Sequence, residues 1–425
     1  MNCFADRTPQ ELFAAHLDYA QRFHSPFYPQ HPSYANSPDP ERVLRIGYVS
    51  GDFRKHAVSR FIEPVLLHHD RDHFEVHCFY NHHHSDGITQ RLKEFADVWH
   101  SVVKVDDHAA AKLVHDLEID ILIDLSGYTE GHRLSLFARK PAPVQATWLG
   151  YLATTGLATM DYRICDAYTD PPGLTERFHT ETLARLPDSQ WCHIPYETLQ
   201  SVADLPADLA LTSETPLLKN GYLTLGSFNN AAKLNDQVLA LWAEVLKAIP
   251  DARLHIAAVP SGRAQQWIDS IMARLGVDCK RIEFIPPLDF DKYLTAIAHV
   301  DLVLDPFPYN GGTTSIDALI MGVPLITLAG DRSIARGGVS LLSNLGLTEL
   351  IAATPLEYVA IVRQLTDNPS RLKALRQSLR QRLERSPLMD GARFTRNLEA
   401  LYRKMWQTYC DSQQRSSVVA QRNTE

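Results

Sequence analysis

Residues 305–324, DPFPYNGGTTSIDALIMGVP, place two glycines and two threonines between an apolar run ending at Asp305 and a helical pattern that stops at Gly322. Pro306 and Pro308 stop the strand from continuing. Gly311 and Gly312 permit positive φ and let a ligand approach the backbone closely. Thr313 or Thr314 can cap the helix that follows. The unpaired N–H groups of such a helix start, with its positive dipole end, form an anion site. Two readings fit: an ordinary glycine-rich turn with a threonine cap, or a phosphate cradle. Asp317 is either a plain helix-dipole acid or an acceptor for a ribose hydroxyl.

GSFNNAAKLN (226–235) also follows an apolar run. Its Lys233 is either a solvated loop lysine or the counter-charge to a diphosphate. In GYVSGDFRKHAVSRF (47–61), His56 stands between a strand and a helix pattern. It can act as a general base or as a hydrogen-bond donor to phosphate. It is also one of 19 histidines, and the plain alternative is a surface histidine at a helix start. His82, His83 and His84 are consecutive and point different ways, with no Cys or Glu cluster to complete a set of ligands. No metal is expected.

These stretches need a scaffold of alternating strands and helices. LRIGYVS, FEVHCFY, IDILIDL, VQATWLG and DYRICD read as strands, and so do YLTLGSF, RLHIAAV, RIEFIPP, DLVLD and PLITLAG. Helical patterns such as ITQRLKEFADVW and AAAKLVHDL lie between them, which predicts parallel sheets covered by helices. DQVLALWAEVLKAIP carries the clearest 3.6-residue stripe, with Asn235 at its N-cap and Pro250 past its end. Residues 8–23 read as an amphipathic helix with Phe13, Leu17, Ala20 and Phe23 near one face. The expected domains are an N-terminal helix and linker over 1–43, a Rossmann-like domain over 44–195, a linker over 196–220, a second Rossmann-like domain over 221–385, a terminal helix over 386–410 and a disordered tail over 411–425. In such sheets ligands bind beyond the carboxyl ends of strands, so the cleft between two such domains is the expected site, with His56 reaching into it.

A chain of 425 residues suits two domains. A net charge of −8 gives no sign of nucleic-acid or membrane-surface binding. No apolar run approaches the ~20 residues needed to cross a bilayer. The six cysteines are scattered without CxxC pairs, and no secretory pattern opens the chain. A cytoplasmic protein with reduced thiols is expected.

RIGYVSGDFRKH, IDILIDLSGYT, RKPAPVQATWLGYLATTG, MDYRICD, GSFNNAAKLN, DLVLDPFPYNGGTT and MGVPLITLAG, in that order from about 44 to 410, resemble successive blocks of the protein O-GlcNAc transferase family and its SPINDLY branch, glycosyltransferase family 41. The resemblance implies a GT-B fold, two facing Rossmann-like domains with a C-terminal helix crossing back to the first. It implies metal-independent transfer from a nucleotide sugar to Ser or Thr hydroxyls of polypeptides, with no cofactor. It matches Lys233 to the lysine that stabilises the departing diphosphate, Thr313 and Thr314 to the helix start that binds it, and Asp317 to the acid contacting ribose. Asn230 matches a polar position beside the diphosphate, and His56 the histidine of the first-domain loop. Gly312 and Tyr293 stand where animal members have nucleotide-contacting histidines. Members of the family usually carry tetratricopeptide repeats upstream, and the helix over 8–23 resembles the last piece of such an array. The donor implied by the wider family is UDP-GlcNAc. The blocks SFNNAAK and FPYNGGTT lean toward the SPINDLY branch, whose plant members use GDP-fucose. A non-catalytic sugar-nucleotide sensor or scaffold is the alternative of another class.

Overall fold

The computed structural model describes residues 7–194 and 215–422. Two compact units divide it. The first holds Thr8–Ile194 and the chain from Asp390 onward; the second holds the described residues between, up to Met389.

The first unit is built on seven parallel strands: β1 (Leu44–Ser50), β2 (Phe74–Tyr80), β3 (Val98–Ser101), β4 (Ile121–Asp124), β5 (Val144–Thr147), β6 (Tyr162–Asp166) and β7 (Thr182–Leu186). Their spatial order is β3-β2-β1-β4-β5-β6-β7. β1 is the hinge of the order, pairing with β2 on one side and with β4 on the other. The direction in which successive strands are added reverses between β1 and β4. The loops leaving those two strands therefore diverge and open a crevice.

Two of these strands depart from the sequence reading. The helix pattern over ITQRLKEFADVW ends at Glu94, and its last residues belong to β3. This four-residue edge strand is only half-buried and offers no alternation to detect. β7 falls in a stretch with no strong apolar run, and its ladder to β6 is what makes it a strand.

The N-terminal helix, Pro9–Phe23, starts on a capping box in which Thr8 and Glu11 satisfy each other's backbone. Its buried stripe is Leu12, His16 and Ala20, whereas Leu17 and Phe23 are exposed. The stripe turns away from the predicted face because His16 is fully satisfied inside: one ring nitrogen meets the Leu12 carbonyl oxygen at 2.6 Å and the other the Tyr151 hydroxyl at 2.7 Å.

The last helix runs Gly391–Arg422 and packs on the first unit. Its Glu399 accepts from His69 and from the Asp70 N–H, each at 2.8 Å, and Tyr402 lies 3.2 Å from the Tyr48 hydroxyl. Helix therefore continues through residues 411–422, where the sequence predicts a disordered tail. DSQQRSSVVAQR contains no glycine or proline to stop it. Residues 196–214 of the expected linker lie outside the described residues.

The second unit has six parallel strands: β8 (Thr224–Ser227), β9 (Arg253–Ala257), β10 (Ile282–Ile285), β11 (Leu302–Leu304), β12 (Leu325–Leu328) and β13 (Ile351–Ala352). The order is β10-β9-β8-β11-β12-β13, so its switch point lies between β8 and β11, where Leu225 is opposite Leu302. The Asp236–Ala248 helix follows the predicted stripe, with the Asn235 side chain accepting from the Val238 N–H at 2.9 Å.

The Pro369–Glu384 helix lies across the ends of three others. Arg376 donates to the carbonyls of Ala298 and Val300, Arg380 to that of Ile320 and Arg382 to that of Leu345. Each guanidinium meets unpaired carbonyls at or just beyond a helix C-terminus, where a cation is favoured.

Candidate active site

Both loops that the sequence singles out in the second unit leave the carboxyl ends of β8 and β11, the two strands flanking its switch point. After β8 the chain passes Phe228, Asn229 and Asn230 into a single 3-10 turn, Ala231–Lys233. After β11 comes a buried Asp305, then the proline–glycine stretch, then the Thr313–Ile320 helix.

The start of that helix differs from the sequence reading in two ways. Gly312 itself is the N-cap, and no side chain caps the helix. Thr313 and Thr314 are its first two residues instead, so the first N–H groups are not occupied by a capping oxygen. Neither glycine uses positive φ: Gly312 sits at φ −112°, and Gly311 is not among the glycines with positive φ. Gly311 is required by space. A Cβ there would lie 2.1 Å from Ser315 Oγ, 3.0 Å from Thr314 Oγ1 and 3.1 Å from Asn229 Oδ1. At Gly312 a Cβ would meet nothing within 4 Å.

Lys233 Nζ donates to the Asn310 carbonyl at 2.7 Å and to Asn229 Oδ1 at 3.2 Å, and it stands 4.4 Å from the centre of the Tyr309 ring. Removal from water pulls its pKa down to about 8, and the charge of Asp305 acts against that fall. Burial pushes Asp305 the other way, up to about 7, although the Gly311 N–H at 2.7 Å and the Thr327 hydroxyl at 2.8 Å both donate to it. Together these groups hold the glycine turn against the end of β11 and leave an ammonium beside a helix start.

Tyr293 donates to Asp317 at 3.2 Å, and its ring lies edge-on to Phe228 at 6.0 Å and stacked on Phe290 at 5.9 Å. The structure therefore gathers Lys233, Gly311, Gly312, Thr313 and Thr314 around one helix start, with Asp317 on that helix and Tyr293 reaching it from the neighbouring Phe290–Ala298 helix. Asn230 is turned elsewhere: it is exposed, and its side chain accepts from the Ala232 N–H at 2.9 Å. The asparagine that joins the two loops is its neighbour Asn229, buried, with Oδ1 also accepting from Thr314 Oγ1 at 3.0 Å. Sequence reasoning missed Asn229 and the role of Asp305. The one available signal was that both stand at strand carboxyl ends.

In the first unit His56 lies in the loop that leaves β1, at that unit's switch point. Its Nδ1 is 3.6 Å from Asp52 Oδ1, an electrostatic neighbour rather than a hydrogen bond, and it accepts weakly from the Val58 N–H at 3.3 Å. Partial burial lowers the His56 pKa, and Asp52 partly restores it. Among the described residues no group of three or more His, Cys, Asp or Glu is placed to hold a metal ion, and no helix is long and apolar enough to cross a membrane.

Comparison with known proteins fits this architecture. The glycosyl transferase family 41 model matches residues 14–196 and 197–398. A probable UDP-N-acetylglucosamine–peptide N-acetylglucosaminyltransferase SPINDLY from Solanum lycopersicum is 39% identical over 436 residues, covering 100% of this chain and 46% of its own length. The probable transferase SEC from Arabidopsis thaliana is 31% identical over 87% of this chain and 38% of its own. Among solved structures, an O-GlcNAc transferase mutant from Thermobaculum terrenum superposes with a TM-score of 0.88 at 37% identity, over 96% of this chain and 76% of that one. The chain spans about half the length of the curated relatives it matches. It belongs to glycosyl transferase family 41, the O-GlcNAc transferase and SPINDLY family, and its two Rossmann-like units are of the GT-B type.

Proposed function

We propose that this family 41 chain moves a sugar from a nucleotide diphosphate donor to serine or threonine hydroxyls of polypeptides, without a metal ion. UDP-GlcNAc is the favoured donor. One observation carries the reading: a helix start with no side-chain cap, at Gly312, lies beside a lysine whose ammonium is fixed by Asn229 and Asn310.

In the transfer, the bond between the sugar's anomeric carbon and the diphosphate oxygen breaks while a bond to the acceptor hydroxyl oxygen forms. Negative charge grows on the departing diphosphate. Lys233, protonated below about pH 8, and the N–H groups of Thr313 and Thr314 meet that charge as it develops. They supply the positive potential that a metal otherwise gives. Asp317, oriented by Tyr293, is assigned to the ribose. His56, whose charged form burial disfavours, is assigned either the acceptor proton or a hydrogen bond to the phosphate. The unbonded, mostly buried cysteines among the described residues suit a reducing, cytoplasmic setting.

GDP-fucose is the second donor, because the sequence stands nearer the SPINDLY relatives than SEC. Isotope-labelled UDP-GlcNAc and GDP-fucose, offered in parallel to a polypeptide acceptor with excess EDTA, test the reading. Transfer from UDP-GlcNAc that survives the chelator is expected. Transfer from GDP-fucose alone would replace the donor, and activity restored only by Mg²⁺ or Mn²⁺ would overturn metal independence. In the same assay, His56→Ala should lose about 10²–10⁴-fold and the acidic limb of the pH profile if His56 is the base. A His56→Gln variant that recovers most of the rate marks the hydrogen-bond role instead. Full activity of His56→Ala at every pH removes it from the site.

A further inference from the structure

We propose that Asn229 is a positioning residue that locks Lys233 to the start of the Thr313–Ile320 helix, its one carboxamide oxygen serving the ammonium and the Thr314 hydroxyl together. The proposal rests on the diphosphate reading above for its purpose, and on geometry for its substance.

A carboxamide oxygen has two lone pairs. In Asn229 both are engaged, by Lys233 Nζ at 3.2 Å and by Thr314 Oγ1 at 3.0 Å. The two donors come from different loops, one leaving β8 and the other leaving β11, and the side chain between them is buried. Gly311 shows how tightly the junction is packed, since a Cβ there would press on Asn229 Oδ1, Thr314 Oγ1 and Ser315 Oγ.

The bond has a chemical consequence. A threonine hydroxyl has a single proton, and Thr314 gives it to Asn229. While that bond holds, Thr314 meets a phosphate through its backbone N–H and not through its hydroxyl. Lys233 spends two of its three N–H donors on Asn229 and Asn310, and the third has no oxygen partner among the described residues. Asn229 thus holds the two loops at a fixed separation and leaves one ammonium donor and the helix N–H groups for the ligand. A neutral oxygen does this without opposing an anion, as a carboxylate at the same place would.

The titratable groups facing Lys233 are Asp305, whose charge favours its protonation, and the Tyr309 ring beneath it. The test uses lysine labelled with ¹³C at Cε, with the Lys233 signal assigned from a Lys233→Arg variant, and follows its titration in the full chain without ligand. Asn229→Asp keeps both acceptor contacts and adds a charge near Nζ, so the Lys233 midpoint should rise by about one pH unit. Asn229→Ala should move it down and release the Thr314 side chain. In parallel, the basic limb of the transfer profile should follow the same shifts, and Asn229→Ala should lose about tenfold or more in kcat with a smaller change in KM. Thermal midpoints report whether either variant folds, and Asn229→Asp carries the test if Asn229→Ala does not. Unshifted Lys233 midpoints in folded variants overturn the proposal whatever the donor. Shifted midpoints in a protein that binds no nucleotide sugar uphold the Asn229–Lys233 lock and refute the diphosphate reading instead.

Discussion

Asp124 and Asp305 hold the same position in two different sheets, one in each unit. Each stands at the carboxyl end of the strand on the far side of its switch point, and each is fully buried. Each accepts from a threonine on the next strand, Thr147 or Thr327, at 2.8 Å. Each also accepts from a glycine N–H of the loop that follows, Gly127 at 2.9 Å or Gly311 at 2.7 Å. Burial raises both acids, Asp124 to about 6 and Asp305 to about 7. The difference lies in what the pinned loop leads to. After Asp124, Gly127 takes φ +55° against the Tyr151 side chain, Tyr128 donates to the Thr155 carbonyl at 2.6 Å, and the next helix has four residues. That loop is closed by its own packing. After Asp305 the chain enters an eight-residue helix with no side-chain cap, and Lys233 stands beside it. A buried strand-end acid is thus a loop anchor in both units. Only in the second unit does the pinned loop open directly onto a helix start with a lysine beside it, which is the arrangement the proposed diphosphate site uses.

The largest effect expected from this contrast is at Lys233; among the described residues no lysine is hydrogen-bonded or ion-paired to Asp124. Lys233→Ala should cut turnover by orders of magnitude, because leaving-group charge develops mainly in the transition state. Its thermal midpoint should stay near that of the parent chain. Near-normal transfer by the folded variant removes Lys233 from the reaction.

The two aspartates give the next largest contrast. Both carboxyl pKa values are raised above the unfolded value, so the folded state holds a proton that the unfolded state releases. The stability contributed is fully present below the ordinary carboxylate range and is lost as pH rises through about 6 for Asp124 and about 7 for Asp305. Asp124→Asn and Asp305→Asn should each flatten that decline in urea melts across the window. Only Asp305→Asn should weaken transfer, by about tenfold near pH 8, since loss of its charge lets Lys233 deprotonate. Equal losses of transfer in both variants would make the acids plain structural anchors.

Much of this site can be read in the sequence because its groups sit at strand ends, where a short apolar run followed by Gly, Asn or Thr is visible residue by residue. Lys233, Thr313, Thr314 and Asp317 stand out for that reason. Which of two adjacent asparagines turns inward depends on the 3-10 turn at Ala231–Lys233, and nothing in FNNAAK distinguishes them. The aspartate of DLVLD reads as a strand terminus, and its proximity to Lys233 exists only once β8 and β11 are neighbours. The short edge strand Val98–Ser101 and the buried face of the first helix escaped for a related reason. One is half-buried and the other buries a histidine, so hydrophobic periodicity carries no record of either.

The smallest effects separate the two glycines. Gly311→Ala forces a methyl group against Ser315 Oγ and should cost about 1–3 kcal/mol of stability, with weaker donor binding. Gly312→Ala faces open space and should change stability by less than about 1 kcal/mol. Chemical denaturation of the two variants side by side checks this. A reversed order would mean that Gly312, not Gly311, is the position the turn requires.

Amide hydrogen exchange with and without saturating UDP or GDP tests the central claim most directly, because it reads the helix start itself. The N–H groups of Thr313 and Thr314 should slow markedly on addition of nucleotide, while those of Ser126 and Gly127, already bonded to Asp124 in the first unit, should not change. Nucleotide binding that leaves Thr313 and Thr314 exchanging as before, with protection at Ser126 and Gly127 instead, would contradict the account.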